Sequence, residues 1–244
     1  MNTNGLIMAV SALLLAIAFI KRNEFPSGLD ALPALDSEPR QTASTRRPFS
    51  LSFNDVEYRV KPKYRYALDG LVVSYRHHDG NSRMHRRSQD HLNMLDLCVV
   101  WGSNVDPELL NRLSFWNGIF TCNVKTGDRE AWSRFDMVSL SNNHLISDNP
   151  AIRERVRDVK VGDQIRVEGW LASYGTGTGD ERGTSTTRTD TGNGACETIY
   201  VERFDITRAV LGPWRIAMWA ALAVLVLTLV NHFRKPHRPF RRPA

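Results

Sequence analysis

A long, mostly apolar run lies near the start of the chain. The run 5-GLIMAVSALLLAIAFI-20 contains no charged residue, and Lys21 and Arg22 follow it at once. A helix that crosses a bilayer needs about 20 mostly apolar residues, or slightly fewer where basic flanks are present. No basic residue precedes the run and no A-x-A cleavage site follows it, which disfavours the alternative of a cleaved signal peptide. The pattern predicts an N-terminal membrane anchor over residues 1–20.

A second apolar run lies near the end of the chain. The stretch 216-IAMWAALAVLVLTLV-230 also contains no charged residue. Aromatic and basic side chains beside such a run are typical of the membrane–water interface. We therefore predict a transmembrane helix over 213–233, with interfacial contacts from Trp214, Phe233, Arg234 and Lys235.

Two spans place both chain ends on one side of a membrane and residues 21–212 on the other. The tail 234-RKPHRPFRRPA-244 has five basic residues and no acidic one, which favours a cytoplasmic C-terminus. Basic residues also flank the spans on the opposite side, so the prediction depends on the density of charge in the tail. We expect a protein of the bacterial inner membrane with a periplasmic or otherwise extracytoplasmic soluble domain.

The net charge of +6 is concentrated in this tail, which supplies five positive charges and leaves +1 for the rest of the chain. A nearly balanced domain gives no electrostatic reason to expect nucleic acid as a partner. The tail suits anionic lipid head groups. The predicted partners are therefore the lipid bilayer and a protein of the membrane or envelope.

The chain between the two apolar runs has two parts that differ in composition and pattern. Residues 21–50 are rich in Pro, Ser, Asp and Thr without a sustained period, which predicts a linker. Residues 51–208 contain short alternating or β-branched runs bounded by turn residues, as in a barrel or sandwich. Two short helices are predicted over 106–113 and 148–159, where a proline follows an N-cap residue. The predicted strands are 51–60, 64–75, 94–101, 118–124, 135–140, 164–174 and 198–206.

A glycine interrupts the predicted strand 164-QIRVEGWLASY-174, which follows the second helix and a Val-Gly-Asp turn. Glycine inside a strand often marks a bulge where a barrel closes. We therefore predict a mainly β fold, a small OB-like or similar barrel with one or two short helices. The alternative is another β-rich domain with one crossover helix.

Four sequence segments of the domain resemble segments found in other proteins. They are 95-LDLCVVWG-102, 142-NNHLI-146, 162-GDQIRVEGWL-171 and 183-GTSTTRTDTGNGACETIYVE-202. Together they resemble a set of uncharacterised bacterial membrane-anchored proteins that share a C-terminal motif like R-x-D-T-G-x-G-A-C-E. Those proteins usually carry one N-terminal anchor, and the second span and basic tail depart from that pattern. The resemblance implies a shared fold and a shared site, and it implies no particular reaction.

Two of the three cysteines lie in predicted strands. Cys98 and Cys122 have apolar neighbours, which favours buried structural thiols. A disulfide is the alternative in an oxidising compartment, and it would leave one thiol over. The chain has no C-x-x-C and no H-x-x-x-H spacing, so the sequence supports neither a zinc site nor a cofactor.

The third cysteine, Cys196, lies between a glycine turn and a strand in 187-TRTDTGNGACETIYVE-202. With His144 and Asp190 it offers a thiol–imidazole–carboxylate group for catalysis. The interpretation that we favour is a structured glycine turn, in which Arg188 and Asp190 bind each other or loop backbone. A non-covalent ligand site is the third hypothesis, with candidate contacts from Trp101, His144, Arg188, Asp190 and Glu197.

The loop 76-RHHDGNSRMHRRSQDH-91 is rich in histidine and arginine. We favour a solvated hairpin tip. The alternatives are phosphate or nucleic-acid contact, a pH response, or a transition-metal site. Aromatic residues that would stack on bases are absent from the loop, which disfavours nucleic acid. The weak metal hypothesis would use His77, His78, His85 and His91.

These features predict a membrane-anchored extracytoplasmic β-barrel module that acts by binding or assembly in the cell envelope, without enzymatic activity. The first alternative is a thiol-dependent hydrolase or transferase that uses Cys196 and His144. The second alternative is a cytoplasm-facing barrel that binds nucleic acid.

Overall fold

The structure is a computed structural model that describes residues 3–78, 89–118, 120–177, 181–192 and 194–234. The chain divides into two compact units. One comprises Met1–Pro26 with Leu211–Ala244, and the other comprises Ser27–Val210.

Strands and helices are numbered here in chain order within the described residues. The strands are β1 Arg40–Ala43, β2 Phe49–Phe53, β3 Val56–His77, β4 Asn93–Val100, β5 Ser114–Asn117, β6 Cys122–Lys125, β7 Leu140–Ile146, β8 Gln164–Gly175 and β9 Cys196–Arg208. The helices are α1 Thr3–Lys21, α2 Pro107–Leu110, α3 Arg129–Arg134, α4 Pro150–Val156 and α5 Pro213–Arg234. Short 3-10 turns occur at Pro33–Asp36, Gly102–Asn104 and Met137–Ser139.

The first unit is a pair of apolar helices, α1 and α5. Both are long and apolar enough to cross a membrane, and only 11% of the most apolar window of each is buried. The amide of Asn4 donates to the carbonyl of Thr228 at 3.4 Å, which joins the two helices. The Lys21 ammonium lies 5.0 Å from the ring centre of Trp214. Arg234 ends α5, whereas Lys235 and the rest of the basic tail lie outside the described residues.

The second unit is a barrel of five strands. Their order is β3, β4, β7, β9 and β8, and β8 pairs back onto β3 to close the ring. β7 and β9 run parallel, and the other neighbouring pairs are antiparallel. The crossover from β7 to β8 contains α4. The predicted mainly β fold with a small barrel and a few short helices is confirmed.

Closure depends on the length of β3, which has 22 residues. Its first part pairs with β2 and β8, and its last part pairs with β4. Register shifts at Pro62/Tyr64 and Val72/Ser74 interrupt the ladders. Such bulges bend a strand, so one long strand is able to contribute to opposite parts of the ring.

The barrel interior follows from strand alternation, because successive side chains point to opposite faces. Most inward positions are apolar, whereas β7 and β9 also carry buried polar residues there, namely Ser141, Asn143 and Glu197. A second apolar cluster forms on the outer face, where β2 covers β3 and β8. The interior residues include Leu68, Val72, Leu95, Leu97, Val99, Leu145, Ile165, Val167, Leu171, Ile199 and Val201.

Several element boundaries differ from the sequence predictions. Residues 27–50, interpreted as linker, belong to the barrel unit, and β1 and β2 pair with β3 within it. The predicted strand 118–124 begins only at Cys122, because Phe120 has a left-handed φ of 57°. The predicted strand 135–140 is a 3-10 turn that leads into β7. Helix α3 was missed, although Asp128 caps it by accepting from two backbone N–H groups.

Candidate functional site

The β5–β6 hairpin lies against the outer face of the barrel and is covalently attached to it. Cys122 of β6 forms a disulfide with Cys98 of β4. The favoured expectation of two free buried thiols is therefore wrong, and Cys196 remains as the free cysteine. Because Phe120 precedes Cys122 by two residues, the disulfide restrains the position of the Phe120 ring.

Polar side chains line the outer face of three adjacent strands beside this hairpin. Asp96 on β4 pairs with His144 on β7, and Asn142 on β7 pairs with Cys196 on β9. Residues next to them in the same strands point into the barrel, so these four side chains share the outer face. Asp96 and His144 are almost entirely buried, whereas Cys196 is half-buried.

The four side chains lie next to one another on this face. Nδ1 of His144 lies 2.6 Å from Oδ1 of Asp96, and the Cys196 thiol lies close enough to the imidazole to raise its pKa. The thiol itself donates to the carbonyl of Phe120 at 3.7 Å. Since Nδ1 faces the carboxylate, Nε2 is the nitrogen left for the thiol. The amide of Asn142 donates to Sγ of Cys196 at 3.3 Å and to the carbonyl of Phe120 at 3.0 Å.

The environment favours a charged imidazole. Burial acts to lower the pKa of His144, but the Asp96 carboxylate and the Cys196 thiol outweigh it and raise the pKa to about 9. Burial acts to raise the pKa of Asp96, and the His144 hydrogen bond together with the nearby His78 imidazole brings it well below its usual range instead. His144 is therefore an imidazolium at neutral pH, paired with a carboxylate on one side and a thiol on the other.

A pocket of about 420 Å³ opens beside the thiol. Phe120 forms part of its wall and packs edge-on against His144, with ring centres 5.7 Å apart. The other walls come from the β5–β6 hairpin, from α3 with the turn that follows it, and from the glycine turn before β9. Its lining includes Trp116, Cys122, Trp132, Met137, Asp190, Gly192 and Cys196.

The glycine turn is structured, but the predicted charge pairing is wrong, because Arg188 pairs with Glu197 and Asp190 accepts from Ser185. Gly192 and Gly194 have φ values of 87° and 91°, a region that other residues rarely adopt. The N–H of Ala195 donates to the carbonyl of Gly192 at 3.3 Å, and β9 begins at the next residue. Asp190 accepts from the hydroxyl of Ser185 and lines the pocket.

Asp96, and not Asp190, is the carboxylate that His144 contacts. The sequence offered one signal for this, since Asp96 is a single acid within the apolar strand 94-MLDLCVVW-101. A carboxylate in a buried strand needs a charged or hydrogen-bonding partner. The partner lies 48 positions along the chain, which proximity in sequence could not show.

The other candidate ligand residues form a second network, at the inner face of the same strands. Arg188 pairs with the buried Glu197 and donates to the hydroxyl of Tyr66 at 3.2 Å. Its guanidinium lies 5.3 Å from the ring centre of the buried Trp101. Burial raises the pKa of Glu197, and the Arg188 charge and the Ser141 hydroxyl oppose that rise. The structure thus separates Trp101, Arg188 and Glu197 from the thiol.

We expect Ser141→Ala to lower the free energy of unfolding by about 2 kcal/mol at pH 7.5, because a buried carboxylate loses its hydroxyl donor. The Ser141 Oγ to Glu197 Oε2 distance is 2.7 Å. The loss is expected to be smaller at about pH 4.5, because the raised pKa leaves Glu197 partly protonated there. Denaturant unfolding followed by tryptophan fluorescence measures both values.

Ser173→Ala is the matched control, because Ser173 donates to the much more exposed Glu181. Its cost is expected to stay below about 1 kcal/mol. Equal losses for the two variants would contradict the role given to burial.

The histidines of the predicted metal site do not converge. Nε2 of His78 lies 2.8 Å from Asp96, and His77 packs edge-on against Tyr75. The backbone N–H of His91 donates to the hydroxyl of Tyr58, and His85 lies outside the described residues. Within the described ranges, no group of three or more His, Cys, Asp or Glu side chains is arranged to hold a metal ion.

Comparisons with known proteins add no assignment, since no protein-family model, no curated protein and no solved structure matches this chain. The function is therefore argued from the geometry of the site.

Proposed function

We propose that this protein is a membrane-anchored, extracytoplasmic barrel that acts as a thiol-dependent hydrolase or transferase. The observation that carries the proposal is the arrangement of Asp96, His144 and Cys196 side by side on one face, beside an open pocket. The thiolate is the reactive form of cysteine, and a neighbouring imidazolium stabilises that form. The carboxylate keeps the ring in the orientation that points its other nitrogen at the sulfur.

The residues suit acyl transfer in named roles. Cys196 attacks the carbonyl carbon of an ester, thioester or amide and forms a thioester, while His144 gives its proton to the leaving group. Water or another acceptor then attacks the thioester, and His144 takes up the proton released. Asn142 has its amide beside the sulfur, where it is placed to donate to the developing oxyanion.

An oxidising location is consistent with the Cys98–Cys122 disulfide, because cytosolic thiols are normally kept reduced. An oxidising, extracytoplasmic location also agrees with the orientation expected from the basic tail. Nucleic acid would have no access to a domain in that location. The strand order of the ring is the one found in OB folds. We propose that the barrel is an OB fold whose site lies on the outer face of three strands.

The proposed resemblance supports the same site. The motif pieces 95–102, 142–146 and 183–202 contribute Asp96, His144 and Cys196 respectively. Three pieces that are separate in the chain thus meet at one place, as a shared site requires.

The second candidate function is non-enzymatic binding or assembly in the envelope. It is favoured by Trp116 and Trp132, whose exposed fractions of 43% and 47% are high for tryptophan. Both line the pocket, and exposed tryptophans often anchor protein partners. In this alternative Cys196 is a structural thiol and its reactivity does not depend on His144.

We expect His144→Gln to slow alkylation of Cys196 by iodoacetamide about 100-fold at pH 7, because the imidazolium that stabilises the thiolate is lost. The rate is measured on the full chain in detergent by mass spectrometry of the tryptic peptide 189–203. Cys196→Ser shows which adduct belongs to this residue.

His77→Gln is the control. His77 is another histidine of the barrel unit, at the end of β3, and its ring packs on Tyr75. It should leave the rate unchanged. Equal rates in wild type and His144→Gln, with both proteins folded, would reject the thiol-dependent function and favour the binding module.

The proposed topology is tested with two reporters. We expect a reporter that is active only in the cytoplasm to work when fused to Ala244, and one that is active only after export to work when inserted within residues 175–194. Positive charge in the tail is the physical reason. The reverse pattern would place the domain in the cytoplasm and would revive nucleic acid as a partner.

A further inference from the structure

All three cysteines of the chain lie at one corner of the barrel. Cys98 pairs with Asn142, and Asn142 pairs with Cys196, so the three side chains form a row on the outer face. Cys122 is bonded to Cys98 and lines the same pocket as Cys196. A free thiol that contacts an imidazole therefore shares a pocket with a disulfide.

We infer that Cys196 is the attacking thiol for the Cys98–Cys122 disulfide, so that the site performs thiol–disulfide exchange with thiol substrates. This inference rests on the activation of Cys196 by His144 proposed above. Exchange proceeds by attack of a thiolate on one sulfur of a disulfide.

The internal step is balanced and requires no oxidant. The Cys196 thiolate attacks Sγ of Cys122, the Cys122–Cys196 bond forms, and the Cys98–Cys122 bond breaks. Cys98 leaves as a thiolate and takes up the proton of the His144 imidazolium. A substrate thiolate that enters the pocket then attacks Cys196, forms a mixed disulfide and releases Cys122 as a thiolate.

Geometry selects Cys122 as the sulfur that is attacked. Cys98 is fully buried and is separated from Cys196 by the whole of β7. Two strand spacings put their Cα atoms roughly 10 Å apart, beyond the approximately 7 Å limit for a disulfide. By contrast, the carbonyl oxygen of Phe120, two residues before Cys122, lies 3.7 Å from Sγ of Cys196. The side chain of Asn142 has to turn aside for the sulfurs to meet.

A pair of single substitutions tests the inference. Cys98→Ser leaves Cys122 and Cys196 as the two cysteines, whereas the matched control Cys122→Ser leaves Cys98 and Cys196. Each full-length protein is equilibrated in detergent with a glutathione redox buffer, acid-quenched, alkylated and digested with trypsin. The cysteines fall on the separate peptides 88–112, 113–125 and 189–203, so mass spectrometry identifies each bridge.

We expect the bridged fraction in Cys98→Ser to exceed that in Cys122→Ser by about tenfold or more, because Cys122 lines the same pocket as Cys196 whereas Cys98 lies beyond disulfide reach of it. The wild type should also yield a Cys122–Cys196 bridge beside the Cys98–Cys122 bridge. Equally low bridging in both variants would overturn the inference. If Cys98→Ser does not fold, the disulfide bridges identified in the wild type decide the test. A wild type that contains the Cys98–Cys122 bridge alone would overturn the inference.

Failure of this inference is distinguishable from failure of the proposed function. If alkylation of Cys196 is fast and depends on His144 but no Cys122–Cys196 bridge forms, the exchange reaction is rejected and the thiol-dependent function stands. If alkylation is slow and independent of His144, both proposals are rejected.

Discussion

Asp96→Asn is expected to lower the free energy of unfolding by about 3 kcal/mol at pH 6, because it breaks a fully buried ion pair. The carboxylate of Asp96 contacts both His144 and His78, and none of its side chain is exposed. The asparagine keeps the volume but carries no charge, so the imidazolium of His144 loses its counter-ion. Denaturant unfolding of the full chain in detergent, followed by tryptophan fluorescence, measures the loss.

The pH dependence of this loss has a defined sign. The pKa of His144 is raised from 6.5 to about 9, so the stability that it contributes is fully present below pH 6.5 and is lost as the pH rises through about 9. The pKa of Asp96 is lowered from 3.8, so its contribution is present above pH 3.8 and disappears only in strong acid. The difference between wild type and Asp96→Asn should therefore be largest between about pH 4 and 6.5 and should shrink towards pH 9.

Asp69→Asn is the matched control for this prediction. Asp69 pairs with Arg166 at 2.8 Å, but this pair is partly exposed and contains no histidine. Its cost should be about 1 kcal/mol or less and should not change between pH 6 and 9, where neither carboxylates nor guanidinium groups normally titrate. A loss for Asp96→Asn that stays constant from pH 6 to 9 would contradict the charged state assigned to His144. Alkylation of Cys196 should also slow in Asp96→Asn, because the ring loses the group that orients it.

Gly169→Ala is expected to cost about 3 kcal/mol or more, because β8 and β9 approach too closely there for a side chain. A Cβ atom at Gly169 would lie 2.1 Å from the carbonyl oxygen of Tyr200 and 3.1 Å from Cα of Val201. Both are backbone atoms, so rotation of a side chain cannot relieve the clash. The β8–β9 register shifts between Glu168 and Gly169, as expected of a bulge. Thermal unfolding followed by near-UV circular dichroism measures the loss.

Gly28→Ala serves as the control, since a Cβ atom at Gly28 would meet nothing within 4 Å. It should change stability by less than about 0.5 kcal/mol. If the two alanine variants were equally stable, the close approach of the two strands at Gly169 would not exist in solution.

The candidate site was partly predictable from residue types. Cys196, His144 and Asp190 were expected together because a thiol, an imidazole and a carboxylate suit one chemistry and because all three lie in the pieces that carry the resemblance. The structure instead turns Asp190 towards Ser185, and the pairing of β4 with β7 brings Asp96 to His144. Strand pairing decides which side chains become neighbours, and single-strand patterns do not contain it.

The disulfide shows the same limit. Cys98 and Cys122 each lie among apolar residues, so the local pattern fitted buried thiols equally well. The two sulfurs meet because the β5–β6 hairpin folds back onto β4 and Phe120 adopts a left-handed turn. That turn was not apparent from the alternation in 118–124, which by itself predicted a strand.

By itself, the sequence determined the two apolar helices, most strands of the barrel and the glycine at the β8–β9 bulge, because hydrophobic periodicity and backbone freedom are local properties. Tertiary structure alone decided that β1 and β2 join the barrel unit, that Asp96 is the partner of His144, and that Cys122 shares a pocket with Cys196. Those outcomes depend on which strands lie side by side and in what register, and the register follows from packing of the whole unit.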